Sequence, residues 1–117
     1  MESVEHRTEN TFWGACHVLC EKLINRFPRA QLVYMGPLHR VTAEETNRHG
    51  KVLNDYVEII KTVTRKYSIP FLDMMAISGI APQIAVHREL YIPDGLHPND
   101  AGQALTAAKL KGFLESL

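Results

Sequence analysis

An α/β domain built on a parallel sheet is the fold class this sequence predicts, and three observations predict it. Two short, continuous apolar runs, at residues 31–35 and 69–73, are each bounded by turn signals, as expected of strands buried on both faces. A helical stripe of Val52, Leu53, Tyr56, Val57, Ile60, Val63 and Tyr67 lies between them. Two further helical stretches flank this strand–helix–strand unit, one on each side. Parallel strands need such a crossover, and its hand should be right.

Taken in order, residues 1–10 are a polar lead-in. Phe12, Cys16, Leu19, Leu23 and Phe27 then recur at three- and four-residue steps, joined by Cys20 and Ile24, which predicts a helix over 11–27. Asn10 or Thr11 can cap it, and Pro28 stops it. The first strand ends at Gly36-Pro37. Residues 36–50 form a loop in which Thr42-Ala43-Glu44-Glu45 has the form of a capping box and suggests a short helical turn. The second main helix covers 51–67. Pro70 stands at the start of the second strand, where its missing N–H is tolerated. Residues 74–92 read as a long irregular connection with one short helix. Asn99 caps a last helix over 99–115, and Asp100 in its first turn complements the helix dipole.

Composition narrows the function. The 117 residues suit one small domain, 45% hydrophobic and 22% charged. Thirteen Lys and Arg balance thirteen Asp and Glu, with no basic stripe, so nucleic acid and anionic membranes are not expected partners. The apolar runs are too short to span a bilayer, and Met1–Arg7 is polar, unlike a signal peptide; a cytoplasmic location is the default expectation. Cys16 and Cys20 lie one helical turn apart, a poor disulfide geometry that matches no zinc motif, and are expected in the core. Trp13 should pack near the sheet edge, while His49 and His87 should be solvated. No metal cluster and no glycine-rich phosphate loop is present, so no metal and no cofactor is expected.

The densest stretch is Pro93-Asp94-Gly95-Leu96-His97-Pro98-Asn99-Asp100-Ala101-Gly102. Pro93, Asp94 and Gly95 form a turn signal just before a helix start, with Tyr91 and Ile92 anchoring it. Three-residue spacing across a turn lets the Asp94 carboxylate fold back onto Nδ1 of His97, leaving Nε2 as a general base. On spacing alone, most such pairs are surface loop residues. In an open α/β sheet, however, ligands collect beyond the carboxyl ends of the strands, where the loops after Met35 and Asp73 and the Asp94–His97 turn arrive.

This block and the amphipathic helix after it resemble the last sequence block of the GDSL-type esterases, the SGNH hydrolase family. Thr11-Phe12-Trp13-Gly14-Ala15, Phe27-Pro28, Val33-Tyr34-Met35-Gly36-Pro37, the helix from Lys51 and Pro70-Phe71-Leu72-Asp73 are similar to the second half of such a domain. Nearly all of residues 11–117 follow that pattern. The resemblance implies part of a flavodoxin-like, three-layer α/β domain. It further implies hydrolysis of carboxylic ester or acetyl groups through a Ser-His-Asp triad, with Asp94 as orienting acid and His97 as base. His39 and Arg40, on the loop after the first strand, are candidates to contact a substrate carbonyl or acyl group; otherwise they are loop surface.

The family's Gly-Asp-Ser block, its glycine block and its Gly-x-Asn-Asp block do not occur. Of the serines, Ser3, Ser68, Ser78 and Ser116, none has a nucleophile's context; Ser78 in Ile-Ser-Gly-Ile is the nearest. The chain therefore reads as a truncated domain over 11–117, the acid/base half, inactive alone. Its first strand should expose an apolar edge around residues 32–35, to be covered by a second copy, a complementary chain or the leading segment 1–10. The alternatives are a catalytically silent remnant and a small α/β binding module.

Overall fold

The computed structural model describes residues 11–117. The lead-in over 1–10, with Asn10 as a cap and the segment's suggested covering role, lies outside the described residues. The elements are α1 (Phe12–Arg26), β1 (Tyr34–Met35), α2 (Leu53–Lys66), β2 (Phe71–Leu72), α3 (Met74–Ile77), α4 (Ala85–Tyr91) and α5 (Asp100–Glu115). The fold is mixed α/β, as expected, and the three main helices fall within two residues of their expected bounds.

The strands pair in parallel. Tyr34 N–H donates to the Pro70 carbonyl and Gly36 N–H to the Leu72 carbonyl, each at 2.9 Å, the slanted pattern of a parallel ladder. Both strands are shorter than the apolar runs that announced them. Ser68 sits at φ 57°, in the left-handed region, and Ile69 N–H is used by the Thr64 carbonyl at 2.9 Å in closing α2. At the other end Asp73 leaves the ladder to cap α3, its Oδ1 accepting from Ala76 N–H at 3.3 Å.

The described chain divides into two compact units. The first contains Asn54–Phe71 and the described residues up to Tyr34. Thr11 starts α1, its Oγ1 accepting from Gly14 N–H at 3.0 Å. Cys20, Ile59, Val63 and Ile69 form the core cluster, with Phe12, Trp13, Cys16, Ile24, Leu32, Tyr34 and Tyr67 packed against it. Both cysteines therefore pack in or on the core. Burial, and secondarily the Glu21 carboxylate, push the Cys20 thiol up, away from a reactive thiolate.

His17 is fully buried in this unit. The Tyr67 hydroxyl donates to Glu21 Oε1 at 2.7 Å and lies 2.9 Å from Nδ1 of His17. Tyr67 has one proton and the carboxylate accepts it, so Nδ1–H of His17 must donate to the tyrosine oxygen.

The second unit contains Met35–Leu53 and Leu72–Leu117. Ala43, Leu72, Met74, Ile80 and Ile92 are its buried apolar residues. The expected irregular connection over 74–92 holds two helices, α3 and α4, rather than one. The start of α4 has no side-chain cap, with Ile84 at the N-cap position. Residues 42–45 form a turn and not a helix, with Glu45 N–H bonded to the Thr42 carbonyl at 2.9 Å. His87 is a correction. Far from being solvated, it is half-buried and its Nδ1 accepts from Ala81 N–H at 2.9 Å. His49 is exposed, as expected. No helix among the described residues is long and apolar enough to cross a membrane.

Candidate active site

The site lies within the second unit, on residues 92–98 between α4 and α5. Ile92, wholly buried, anchors the entry, and Gly95 N–H bonds to its carbonyl at 2.8 Å. Gly95 takes φ 77°, a conformation that L side chains rarely adopt. A Cβ there would also meet Val41 Cγ1 at 2.6 Å. Val41 N–H donates to the Gly95 carbonyl at 2.9 Å, so the loop that follows β1 is tied to this turn.

Asp94 faces back along its own turn. Its Oδ1 accepts from Leu96 N–H at 2.8 Å and from His97 N–H at 2.6 Å. Its Oδ2 lies 2.6 Å from Nδ1 of His97. One carboxylate therefore shapes the loop with one oxygen and orients the imidazole with the other. An ionised carboxylate can only accept, so Nδ1 carries the proton and a neutral ring presents a lone pair at Nε2. The His97 side chain is 75% exposed. Among the described residues, nothing is hydrogen-bonded to its Nε2.

The backbone hydrogen bond from His97, its imidazole and the Leu96 N–H pull the Asp94 carboxyl down from 3.8 to about 2. Its contribution to stability is complete above the ordinary carboxylate range and is lost as pH falls through about 4 to 2. In that window the unfolded chain binds the proton first. The unfolding-midpoint difference between the parent chain and Asp94→Asn should therefore shrink as pH falls from about 4 towards 2. A carboxyl-carbon NMR titration of Asp94 reads the same midpoint directly.

His39 and Arg40 lie on the loop after β1, next to Val41. His39 Nδ1–H donates to the Arg40 carbonyl at 3.1 Å, which sets its tautomer. Arg40 is half-buried, and its Nε makes no hydrogen bond to a described residue. Only Val41 of this stretch is shown bonded to the turn, so a role in substrate contact remains an expectation for both. Ser78 is 1% exposed, and its Oγ accepts from Ile80 N–H at 3.1 Å. Its hydroxyl is thus part of the turn after α3 and is not presented to solvent. Asn99, read from sequence as a cap alone, also bonds α4. Its amide N–H donates to the Leu90 carbonyl at 2.9 Å, a partner nine residues away that no local pattern reveals.

A carboxylate-oriented imidazole on an exposed loop can accept and return a proton. The family follows from comparison. The chain belongs to the GDSL-like lipase/acylhydrolase family, whose model matches residues 4–105. A crystal structure shares its fold over 100% of this chain and 57% of that one, with TM-score 0.92 and 32% identity. A crystal structure of a protein from Lactobacillus plantarum matches 91% of this chain and 54% of that one, with TM-score 0.83 and 30% identity. The chain thus spans a little over half the length of either solved chain. No match was found among curated proteins.

Proposed function

We propose that this chain supplies the base and orienting acid of a serine-type hydrolase acting on small-molecule carboxylic esters or acetyl groups. The observation that carries the reading is the 2.6 Å contact between Asp94 Oδ2 and His97 Nδ1 on a side chain that is 75% exposed. Membership of an acylhydrolase family gives that pair a reaction. Nε2 of His97 takes the proton of a serine hydroxyl as the oxygen attacks the ester carbonyl. It then returns the proton to the departing alkoxide. Asp94 stabilises the imidazolium between the two transfers.

The 117 residues contain no Gly-Asp-Ser or Gly-x-Asn-Asp sequence, and Ser78 is buried. In this reading the nucleophile and oxyanion donors come from outside the sequence, and these residues alone are inactive. Loss of even one oxyanion donor costs about 10²–10³ in rate. Exposed apolar side chains support a covering partner. Met35 on β1 is 46% exposed, and Ile84, Val86, Leu90, Leu114 and Leu117 are exposed in the same unit. The proposed partner is a chain carrying the missing blocks or, failing that, a second copy.

A fluorophosphonate probe with intact-mass readout tests the proposal. The chain alone should gain no adduct. Mixed with the Gly-Asp-Ser-bearing part of a longer relative, it should promote labelling of that serine, and His97→Ala should abolish the effect. A His97-dependent adduct on the chain itself would overturn the missing-nucleophile reading and point to Ser78. No labelling in a folded complex would favour a silent remnant.

A further inference from the structure

We infer that Asn99 is a positioning residue for His97, a single side chain that ties the end of α4 to the start of α5 and so fixes where the imidazole is held. The inference rests on His97 being the base and adds what aims it.

The Asp94–His97 pair cannot aim itself. All three of its hydrogen bonds lie within four residues, so they fix the pair's internal geometry and not its direction relative to α4 and α5. Packing does not hold the pair either, because the two side chains are 55% and 75% exposed. The direction of Nε2 is therefore set outside the pair, by the Val41–Gly95 bond on one side and by the base of the loop, where the chain leaves α4 and enters α5, on the other.

Asn99 occupies that base with three bonds besides the ordinary helical one from Gln103 N–H to its carbonyl. Its backbone N–H donates to the Tyr91 carbonyl at 2.9 Å. Its side-chain amide donates to the Leu90 carbonyl at 2.9 Å, and its Oδ1 accepts from Gly102 N–H at 2.9 Å. The last carbonyls of a helix and its first N–H groups have no partner inside the helix. Asn99 answers both needs at once, two carbonyls of α4 and one N–H of α5. A side-chain amide does this with two separate atoms, a donor for one helix and an acceptor for the other, where a hydroxyl would have to serve both from one oxygen. Turning the amide over would set donor against donor and acceptor against acceptor, so its orientation is fixed by its partners.

The approach of the two helix ends is close enough to require Gly102, since a Cβ there would collide with the Tyr91 carbonyl oxygen and lie 2.9 Å from Pro98 Cβ. The loop over 92–98 is thus closed at its base by one residue. A cap serving α5 alone would need only the Oδ1 bond.

Asn99→Ser and Asn99→Asp keep an oxygen for the Gly102 N–H and remove the amide nitrogen that spans to the Leu90 carbonyl. Serine adds no charge, so it separates the lost tie from the electrostatic effect of a new carboxylate. The readouts are amide hydrogen exchange and the NMR titration of Asp94 in this chain. In both variants the Gly102 amide should stay protected. The Leu96 and His97 amides should exchange faster, on the order of tenfold, as the loop opens locally. The Asp94 midpoint should climb by about half a unit or more towards the ordinary carboxylate range in Asn99→Ser.

If Asn99→Ser and Asn99→Asp leave the exchange and the titration unchanged, Asn99 is a cap for α5 alone and the inference is overturned. Asn99→Ala, which loses cap and tie together, is the control; if it does not fold, the other two variants still decide. These measurements use no substrate, so their outcome is independent of whether the hydrolase proposal stands.

Discussion

Replacing Gly102 with alanine should destabilise the chain by about 2–3 kcal/mol, although helix propensity alone predicts the reverse. Gly102 is in the first turn of α5, where alanine is normally favoured by up to about 1 kcal/mol. The new methyl group, however, would overlap the Tyr91 carbonyl oxygen and crowd Pro98 Cβ at 2.9 Å. The first of these is backbone, and the Tyr91 carbonyl is held by Asn99 N–H. It cannot rotate away as a flexible side chain would, so overpacking outweighs propensity. Gly112 is the internal control, because a Cβ there has nothing within 4 Å. Gly112→Ala should therefore stabilise the same helix by about 0.5–1 kcal/mol. Urea midpoints of the two variants should move in opposite directions. A rise for both would mean that the ends of α4 and α5 approach less closely than described.

The Asp94–His97 pair was legible in the sequence because everything that forms it is local. The acid, the base, the glycine that takes positive φ and the residue that starts the next helix fall between positions 94 and 99. The periodic stripes of α1, α2 and α5 were legible for the same reason. What escaped the sequence was set by partners far along the chain, or by local signals that were ambiguous or missing. Asp73 looked like the end of a strand because it follows Pro70-Phe71-Leu72, yet its carboxylate is engaged by Ala76 N–H and opens α3. Ile84 gives α4 no polar cap, so no start signal existed to be read.

The histidines show the limit most clearly. His17 lies among apolar residues of a helix, a hint of burial, but its partner Tyr67 is fifty positions away. His87 accepts the Ala81 N–H only because the turn before α4 folds back upon it. Asn99 was legible as a cap through Gly102, three residues on, and illegible as a tie through Leu90. Local rules identify a residue's first partner, and tertiary folding supplies the second. At this site the second partner is the one that aims the imidazole.

In a domain completed by a Gly-Asp-Ser-bearing segment, Asp94→Asn should lower kcat about 10⁴-fold with little change in KM. The argument lies in the two oxygens of Asp94. Oδ1 accepts the Leu96 and His97 N–H groups, and an asparagine can replace it only with its carbonyl oxygen. That choice leaves no freedom for the amide nitrogen, which must take the place of Oδ2 beside Nδ1 of His97. The loop keeps its shape while the polarity of the contact reverses, because an amide NH₂ donates where a carboxylate accepted. Nδ1 must then offer its lone pair, and the ring proton moves to Nε2. A histidine with Nε2 protonated cannot take a proton from a serine hydroxyl. Imidazole ¹⁵N shifts read this tautomer change in the chain itself, with Nδ1–H in the parent and Nε2–H in the variant. Loss of activity with the tautomer unchanged would mean that Asp94 acts through its charge on the imidazolium. A changed tautomer with activity within tenfold of the parent would remove His97 from the proton path altogether.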